Sequence, residues 1–271
     1  RSIAASAANG GYLTAATDIE YTCKKKPFRY DDTIYKNRVL DCYNNPDPDY
    51  PLRYGPNIAD WPAMPSLKEN LIMKVCAVIN DPVTTTDELI PSGETSSYRS
   101  NPLRLAEFTL SRKRPDYVAK AKEVNADAKA GVMGEYKSAA ERLNLSGEIG
   151  IGSVIYATKP GDGSAREQAA SCQRVLGGVA NIAREYATKR YRSNLINWGM
   201  LPFVYDNKVP LEVGDLIVIS NAPNALDALR ADAKIVRGDK VMDITLTLDS
   251  LTDEEKKIIK AGCLINRYRE E

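Results

Sequence analysis

Ser164 and Arg166 directly follow a glycine-rich turn. A serine and an arginine at these positions could bind an anionic substrate and react with it. The turn is Pro160-Gly-Asp-Gly163, which we predict to belong to neither a helix nor a strand. Apolar residues then recur at helical spacing, at positions 165, 169, 172 and 176, before two glycines at 177 and 178. Unpaired N–H groups and the dipole at a helix N-terminus favour negative charge. This N-terminus could therefore hold a substrate carboxylate or stabilise a serine alkoxide.

The elements that must position these residues form a βαβ unit. Residues 152–158 are predicted to be a buried strand before the turn, and residues 179–183 a parallel strand after the helix. The clearest strand is 71–80, which Thr84-Thr-Thr-Asp87 follows. Thr252 and Glu255 form a capping box for the final helix. Further predictions are helices at 2–8, 103–110, 115–143, 189–198 and 224–230, a strand at 215–220, and a hairpin at 234–248.

Composition excludes several classes of protein. The chain has 37 basic and 36 acidic residues, so it has no strong charge-based attraction to nucleic acid or to a membrane. It has no histidine, which removes Ser-His-Asp catalysis and histidine-based metal sites. Its five cysteines are dispersed without a CxxC pair, which predicts reduced thiols in a cytoplasmic compartment. No apolar run approaches the length of a membrane span.

We divide the chain near residue 70. Residues 21–65 are rich in Pro, Asn, Asp and Tyr, which is typical of an extended connector lying on a neighbour's surface, with plain loop as the alternative. Residues 71–271 are predicted to be one domain. The sequence opens in mid-pattern without a methionine, and we interpret it as the C-terminal part of a longer protein. Loss of a tag or leader is the alternative.

Four motifs in order resemble a known family. Gly161-Asp-Gly-Ser-Ala-Arg-Glu-Gln-Ala-Ala170 is similar to the Gly-Ser-Ser-Arg-Glu-His-Ala signature of aconitase-family swivel domains. Asn194-Leu-Ile-Asn-Trp-Gly-Met-Leu-Pro-Phe203 resembles the family's Asn-Leu…Gly-Leu-Leu-Pro segment. Thr85-Thr-Asp87 with Arg99, and Ala261-Gly-Cys-Leu-Ile-Asn-Arg267, resemble its Thr-Thr-Asp and closing helix segments. The resemblance runs from about residue 71 to the end, and is fainter over the first thirty residues.

The resemblance implies a fold and an activity. The expected fold is α/β, a swivel-type domain with a mixed or parallel sheet flanked by helices, preceded by an irregular linker. The expected enzyme is a hydro-lyase that dehydrates and rehydrates a hydroxy di- or tricarboxylic acid such as citrate or isocitrate. Its [4Fe–4S] cluster, the Lewis acid, is expected on N-terminal domains of the same protein, with no metal ligand in this chain. The isolated 271 residues are therefore expected to be inactive.

The resemblance also assigns roles to residues. Ser164 is the expected catalytic base, and the expected substrate-binding residues are Arg166, Arg99, Ala165, Asp87 and Thr86. Three of these residues have an alternative role: Ser164 as a helix N-cap, Arg166 paired with Glu167 or Asp162, and Asp87 as an organiser of its turn. Arg104 or Arg112 could take the place of Arg99.

Two departures from the family pattern concern substrate identity. Ala165 stands where many aconitases have a second serine that contacts substrate, and Gln168 stands where they have histidine. The class of hydroxy acid is therefore better defined than the particular acid. A second class of function is a non-catalytic binding or regulatory module that associates with RNA, which the balanced charge disfavours.

Overall fold

The computed structural model describes residues 2–18, 27–38, 43–51 and 53–269. The chain divides into two compact units, Arg1–Leu52 and Arg53–Glu271. In the first unit, helix α1 (Ser2–Ala8) is present as predicted, and a four-residue helix α2 (Thr33–Lys36) lies within the predicted connector. The rest of the described connector in this unit is irregular, and parts of it, with Cys23 and Cys42, lie outside the described residues. The described tyrosines of this unit are exposed.

The second unit is built on a closed barrel of seven strands. Its strands are β1 (Asn70–Ile79), β3 (Ile149–Ala157), β5 (Gly178–Ala183), β6 (Leu201–Val204), β7 (Leu216–Ile219), β8 (Arg230–Arg237) and β9 (Lys240–Thr247). The order around the barrel is β1-β3-β5-β6-β9-β8-β7. Strands β1, β3, β5 and β6 pair in parallel, and the remaining pairs are antiparallel. The predicted mixed α/β fold is therefore confirmed.

Helices and a small second sheet surround the barrel. The helices are α3 (Thr86–Leu89), α4 (Pro102–Ala106), α5 (Tyr117–Ala130), α6 (Gly134–Arg142), α7 (Arg166–Val175), α8 (Lys189–Asn197), α9 (Ala222–Ala228), α10 (Asp253–Ala261) and α11 (Leu264–Arg269). The second sheet pairs β2 (Thr84–Thr85) with β4 (Pro160–Asp162). Because apolar residues fill both the barrel interior and the space under the helices, β1 is buried on both faces. This explains its almost continuous apolar sequence, which only Lys74 interrupts between Leu71 and Ile79.

Two predicted elements differ from the structure, and one strand was not predicted. The single helix expected over 115–143 is two, because Gly131 adopts φ +103° and ends α5. The Pro160–Asp162 turn forms strand β4, in which Pro160 takes the first position, where its missing N–H is tolerated. Strand β6 is a central strand that the sequence did not predict, because Pro202 lies within it.

Candidate active site

The two motifs proposed to meet substrate lie together beyond the carboxyl ends of β1 and β3. Thr84 donates its backbone N–H to the Lys159 carbonyl at 2.9 Å, and β2 pairs in parallel with β4. This short sheet holds the threonine-rich segment against the glycine-rich turn. Ligands of open α/β sheets also bind beyond the carboxyl ends of parallel strands, so the position suits a site.

Thr86 and Gly163 approach each other closely. Thr86 is 3% exposed, and a Cβ atom added at Gly163 would lie 2.2 Å from the Thr86 hydroxyl oxygen. Gly163 also has φ +135°, a conformation that side chains rarely adopt. Glycine at position 163 therefore allows this turn to contact α3, and it brings Thr86 to the residue next to Ser164.

Ser164 lies at the start of α7 with an exposed side chain. The N-cap position belongs to half-buried Ala165, whose side chain makes no capping bond. The alternative of Ser164 as an ordinary N-cap is thus not what the structure shows. Its hydroxyl stands next to a helix end whose first N–H groups have no side-chain cap. That environment favours an anion.

Arg166 is half-buried and turns back over the loop. Its Nη1 donates to the carbonyl of Gly163. Among the described residues it forms no ion pair with Glu167 or Asp162, and Glu167 instead accepts from the Trp198 indole N–H at 3.1 Å. The guanidinium is therefore not neutralised by either acid, and it keeps donors for a ligand next to Ser164.

The predicted residues of the Thr-Thr-Asp segment are organised by different contacts. Asp87 is exposed and pairs with Arg112, which also pairs with Glu94. Arg99 is exposed and donates from Nη2 to the Ser92 carbonyl at 3.4 Å. The contacts found therefore join Arg112, rather than Arg99, to Asp87. No described contact links Arg99 to Ser164 or Arg166, and its substrate-binding role stays a prediction.

Arg104, the other alternative to Arg99, lies over the Tyr98 ring, with its guanidinium carbon 5.4 Å from the ring centroid. Tyr191, at a position that the sequence analysis did not connect with the turn, is fully buried, and its ring lies directly against Gly161. Thr188 donates its hydroxyl to the Gly161 carbonyl at 3.3 Å. Helix α8 therefore supports the turn, a role that no local sequence signal indicates.

Helix α3 begins with a complete capping box. The Glu88 N–H donates to the Thr85 hydroxyl at 3.2 Å, and the Thr85 N–H donates to the Glu88 carboxylate at 2.7 Å. Burial alone would raise the pKa of Glu88, but hydrogen bonds from Thr85 and Lys113 outweigh it and lower that pKa. The cap therefore contains an ionised carboxylate at neutral pH, and it fixes the helix that carries Thr86 and Asp87.

We expect Thr85→Ala to lower the free energy of unfolding by about 1 kcal/mol, because one helix N–H loses its acceptor. Thr252→Ala is the matched control, since Thr252 and Glu255 form the same capping box in α10 with the same 3.2 and 2.7 Å distances. Urea unfolding of both variants checks the loss, and amide hydrogen exchange should show faster exchange in α3 only for Thr85→Ala. Unchanged exchange of α3 in Thr85→Ala would contradict the role of this cap.

The described residues do not fit an iron–sulfur cluster. Cys76, Cys172 and Cys263 are all buried, and burial raises the pKa of the Cys76 thiol to about 12 and also raises that of Cys172. Cluster ligands are thiolates, which burial disfavours. Within the described ranges, no group of three or more His, Cys, Asp or Glu side chains could hold a metal ion.

Comparison with known proteins identifies the class. Residues 110–208 match the family described as the aconitase C-terminal domain. The small subunit of 3-isopropylmalate dehydratase from Lachnospira eligens is 31% identical over 138 residues, which are 51% of this chain and 76% of that subunit. Mitochondrial aconitate hydratase from Gracilaria gracilis is 28% identical over 152 residues, 54% of this chain and 19% of that enzyme.

The chain belongs to the aconitase and isopropylmalate isomerase superfamily, as a swivel domain. It spans less than a quarter of the length of the aconitate hydratases that it matches. A crystal structure of 3-isopropylmalate dehydratase from Methanocaldococcus jannaschii aligns with a TM-score of 0.48 and 24% identity, over 74% of this chain and 94% of that one. In the part of the chain that the structure describes, no helix is long and apolar enough to cross a membrane.

Proposed function

We propose that this chain is the C-terminal swivel domain of an aconitase-like hydro-lyase that acts on a hydroxy di- or tricarboxylic acid in the cytoplasm. The observation that carries the proposal is the contact of Thr86 with Gly163, which joins two family motifs next to an exposed Ser164. We assign residues 1–70 to the end of the preceding domain and the linker, and 71–271 to the swivel domain.

Ser164 is the proposed base. Its alkoxide removes the proton from the carbon next to a substrate carboxylate, so that a C–H bond breaks and the Ser164 O–H bond forms. A neutral serine hydroxyl is too weak a base, and its alkoxide is scarcely populated at neutral pH because the pKa of a free hydroxyl is very high. The N-terminus of α7 and the Arg166 guanidinium supply positive potential beside the oxygen, and both lower its pKa. In hydration, Ser164 returns the proton to carbon.

Arg166 and Arg99 are the proposed carboxylate-binding residues, since a planar guanidinium matches a carboxylate with two parallel hydrogen bonds. Arg166 needs only to exchange its bond with the Gly163 carbonyl for the substrate. Thr86, Asp87 and Ala165 are proposed to contact the substrate as well. Ala165 places a methyl group where a second serine hydroxyl would contact polar substituents of the substrate. The particular hydroxy acid is therefore left unassigned.

The hydroxyl-releasing Lewis acid is assigned to a [4Fe–4S] cluster on N-terminal domains of the same protein. The described residues of this chain supply no ligand set for it. The steps proposed for this chain are therefore binding of substrate carboxylates and proton transfer at Ser164.

The test is turnover by the protein joined to its N-terminal domains, after cluster reconstitution. We expect hydration of cis-aconitate or an isopropylmalate-like alkene diacid, measured by loss of alkene absorbance, and no turnover by the 271-residue chain alone. Salt-sensitive binding of RNA by the assembled protein without turnover would favour the regulatory alternative instead. Cluster-independent turnover by the chain alone would contradict the proposal.

A further inference from the structure

Two adjoining cavities lie at the end of the barrel opposite the proposed active site. Their volumes are about 150 and 410 Å³. They share the lining residues Pro65, Ala128, Ile151, Arg174 and Val179. Ile151 and Val179 lie near the amino ends of the parallel strands β3 and β5, whereas the active-site loops follow carboxyl ends. We call these two cavities the Arg174 groove.

Arg174 is a buried cation in the last turn of α7, and it is only 5% exposed. Its Nη1 donates to the Gly178 carbonyl at 3.1 Å, and its Nη2 donates to the carbonyls of Pro65 and Gly262 at 2.7 and 3.1 Å. Its Nε has no hydrogen-bond partner within the described part of the chain. Among the described residues no carboxylate lies within 4.0 Å of the guanidinium, since every ion pair found involves other residues.

Backbone carbonyls bind the positively charged Arg174 guanidinium, but no carboxylate among the described residues neutralises it. Carbonyl dipoles and the C-terminal end of α7 offset part of the cost of burying it. Burial lowers the pKa of the guanidinium to about 10, so the group is still charged at neutral pH. A buried charge is ordinarily paired, because desolvation is expensive. An anion in the groove would supply the missing partner.

The other charges that line the groove have the same sign. Lys129 lines the larger cavity and is exposed on α5, and Lys68 lines the smaller one. Lys68 is bound to Glu148 at 2.9 Å, and the described lining contains neither Asp nor Glu. The remaining walls are mainly apolar. Small-molecule sites combine such walls with a few placed polar groups, at volumes of roughly 300 to 1,000 Å³.

We propose that the Arg174 groove binds a small amphipathic anion, a carboxylate carried on an apolar body. Its head faces Arg174 and Lys129, and its body packs on Ile151, Ala128 and Val179. The groove is separate from the proposed active site, because Arg166 and Arg174 lie at opposite ends of α7, about 12 Å apart along the helix axis. The proposal does not depend on the proposed catalytic function.

The experiment is calorimetric titration of the 271-residue chain with octanoate, with octanol and octylammonium as chemically matched probes. We expect saturable binding of octanoate at one site, at least about tenfold weaker binding of octanol, and weaker binding still of octylammonium. Equal affinity for octanoate and octanol would overturn the proposal, and so would the absence of saturable octanoate binding.

Variants locate the site. Lys129→Glu, at an exposed position, should weaken octanoate binding at least about tenfold, because it replaces attraction by repulsion. Ala128→Phe should abolish binding by filling the groove. Lys240→Glu makes the same charge change in β9, outside the groove lining, and should leave the affinity unchanged. If Lys129→Glu and Ala128→Phe both bind like the original chain, the assignment to this groove is wrong. Neither variant removes Arg174, whose loss could unfold the chain.

Discussion

Ser164→Ala in the assembled, cluster-loaded protein is expected to lower kcat by about 10³-fold, within the range by which a positioned acid–base group accelerates proton transfer. KM should change little, because the proposed carboxylate contacts come from arginines. Stability should also change little, since the side chain is exposed and makes no capping bond. Steady-state kinetics with the preferred hydroxy acid, together with urea unfolding, measure the two effects separately.

The matched control is Ser138→Ala. Ser138 is also exposed, and its hydroxyl donates to the Gly134 carbonyl at 3.1 Å within α6. This variant should retain full activity. If Ser164→Ala keeps a similar share of kcat while its cluster is intact, Ser164 is not the base, although the family membership would stand.

Gly161→Ala is expected to give the largest loss of stability, lowering the free energy of unfolding by about 3 kcal/mol. Gly161 has φ +96°, and an added Cβ atom would lie 2.3 Å from the Cγ atom of the fully buried Tyr191 ring. Neither the ring nor the turn can move without disturbing β4 or α8. Chemical denaturation measures the loss, and we also expect reduced activity because Gly161 lies in the turn that leads to Ser164.

Gly214→Ala separates the two causes. Gly214 has nearly the same backbone conformation, φ +100°, but nothing lies within 4 Å of an added Cβ atom. It should therefore lose only the conformational part, about 1 kcal/mol. The difference between the variants, about 2 kcal/mol, reports the collision with Tyr191. Equal losses of unfolding free energy in the two variants would show that the turn can move away from the Tyr191 ring, so that Tyr191 does not fix its conformation.

Elements with strong local signals were predictable from the sequence. The apolar run of β1, the hairpin of β8 and β9, and the capping box of Thr252 all have patterns within a few neighbouring residues, and the structure confirms them. Strand β4 could not be predicted, because its existence depends on pairing with Thr84 and Thr85, far away in the chain. Strand β6 was not predicted because it contains Pro202, and proline is disfavoured within central strands.

In the candidate site, too, features set by neighbouring residues were predictable and contacts between distant residues were not. The start of α7 directly after the glycine-rich turn follows from local pattern, and the resemblance supplied the Thr-Thr-Asp segment. The pairing of Asp87 with Arg112 could not be derived, because long flexible side chains can reach several partners at similar cost. The contact between Gly161 and Tyr191 could not be predicted either. The spacing of apolar residues indicates that a ring is buried, but it does not identify the turn that the ring contacts.

The closed ring of seven strands restricts how this domain can meet other proteins. An open sheet offers unpaired N–H and C=O groups along its outer strand, and a partner can extend the sheet by strand addition. In this barrel every strand has a hydrogen-bonded neighbour on each side, but β6 and β9 pair at a single position, Val204 with Thr247. Strands β3 and β5 are paired along both edges, so a partner must recognise that side of the barrel through loops, helix faces and side chains. Complementarity of shape and charge, rather than backbone pairing, will set specificity there.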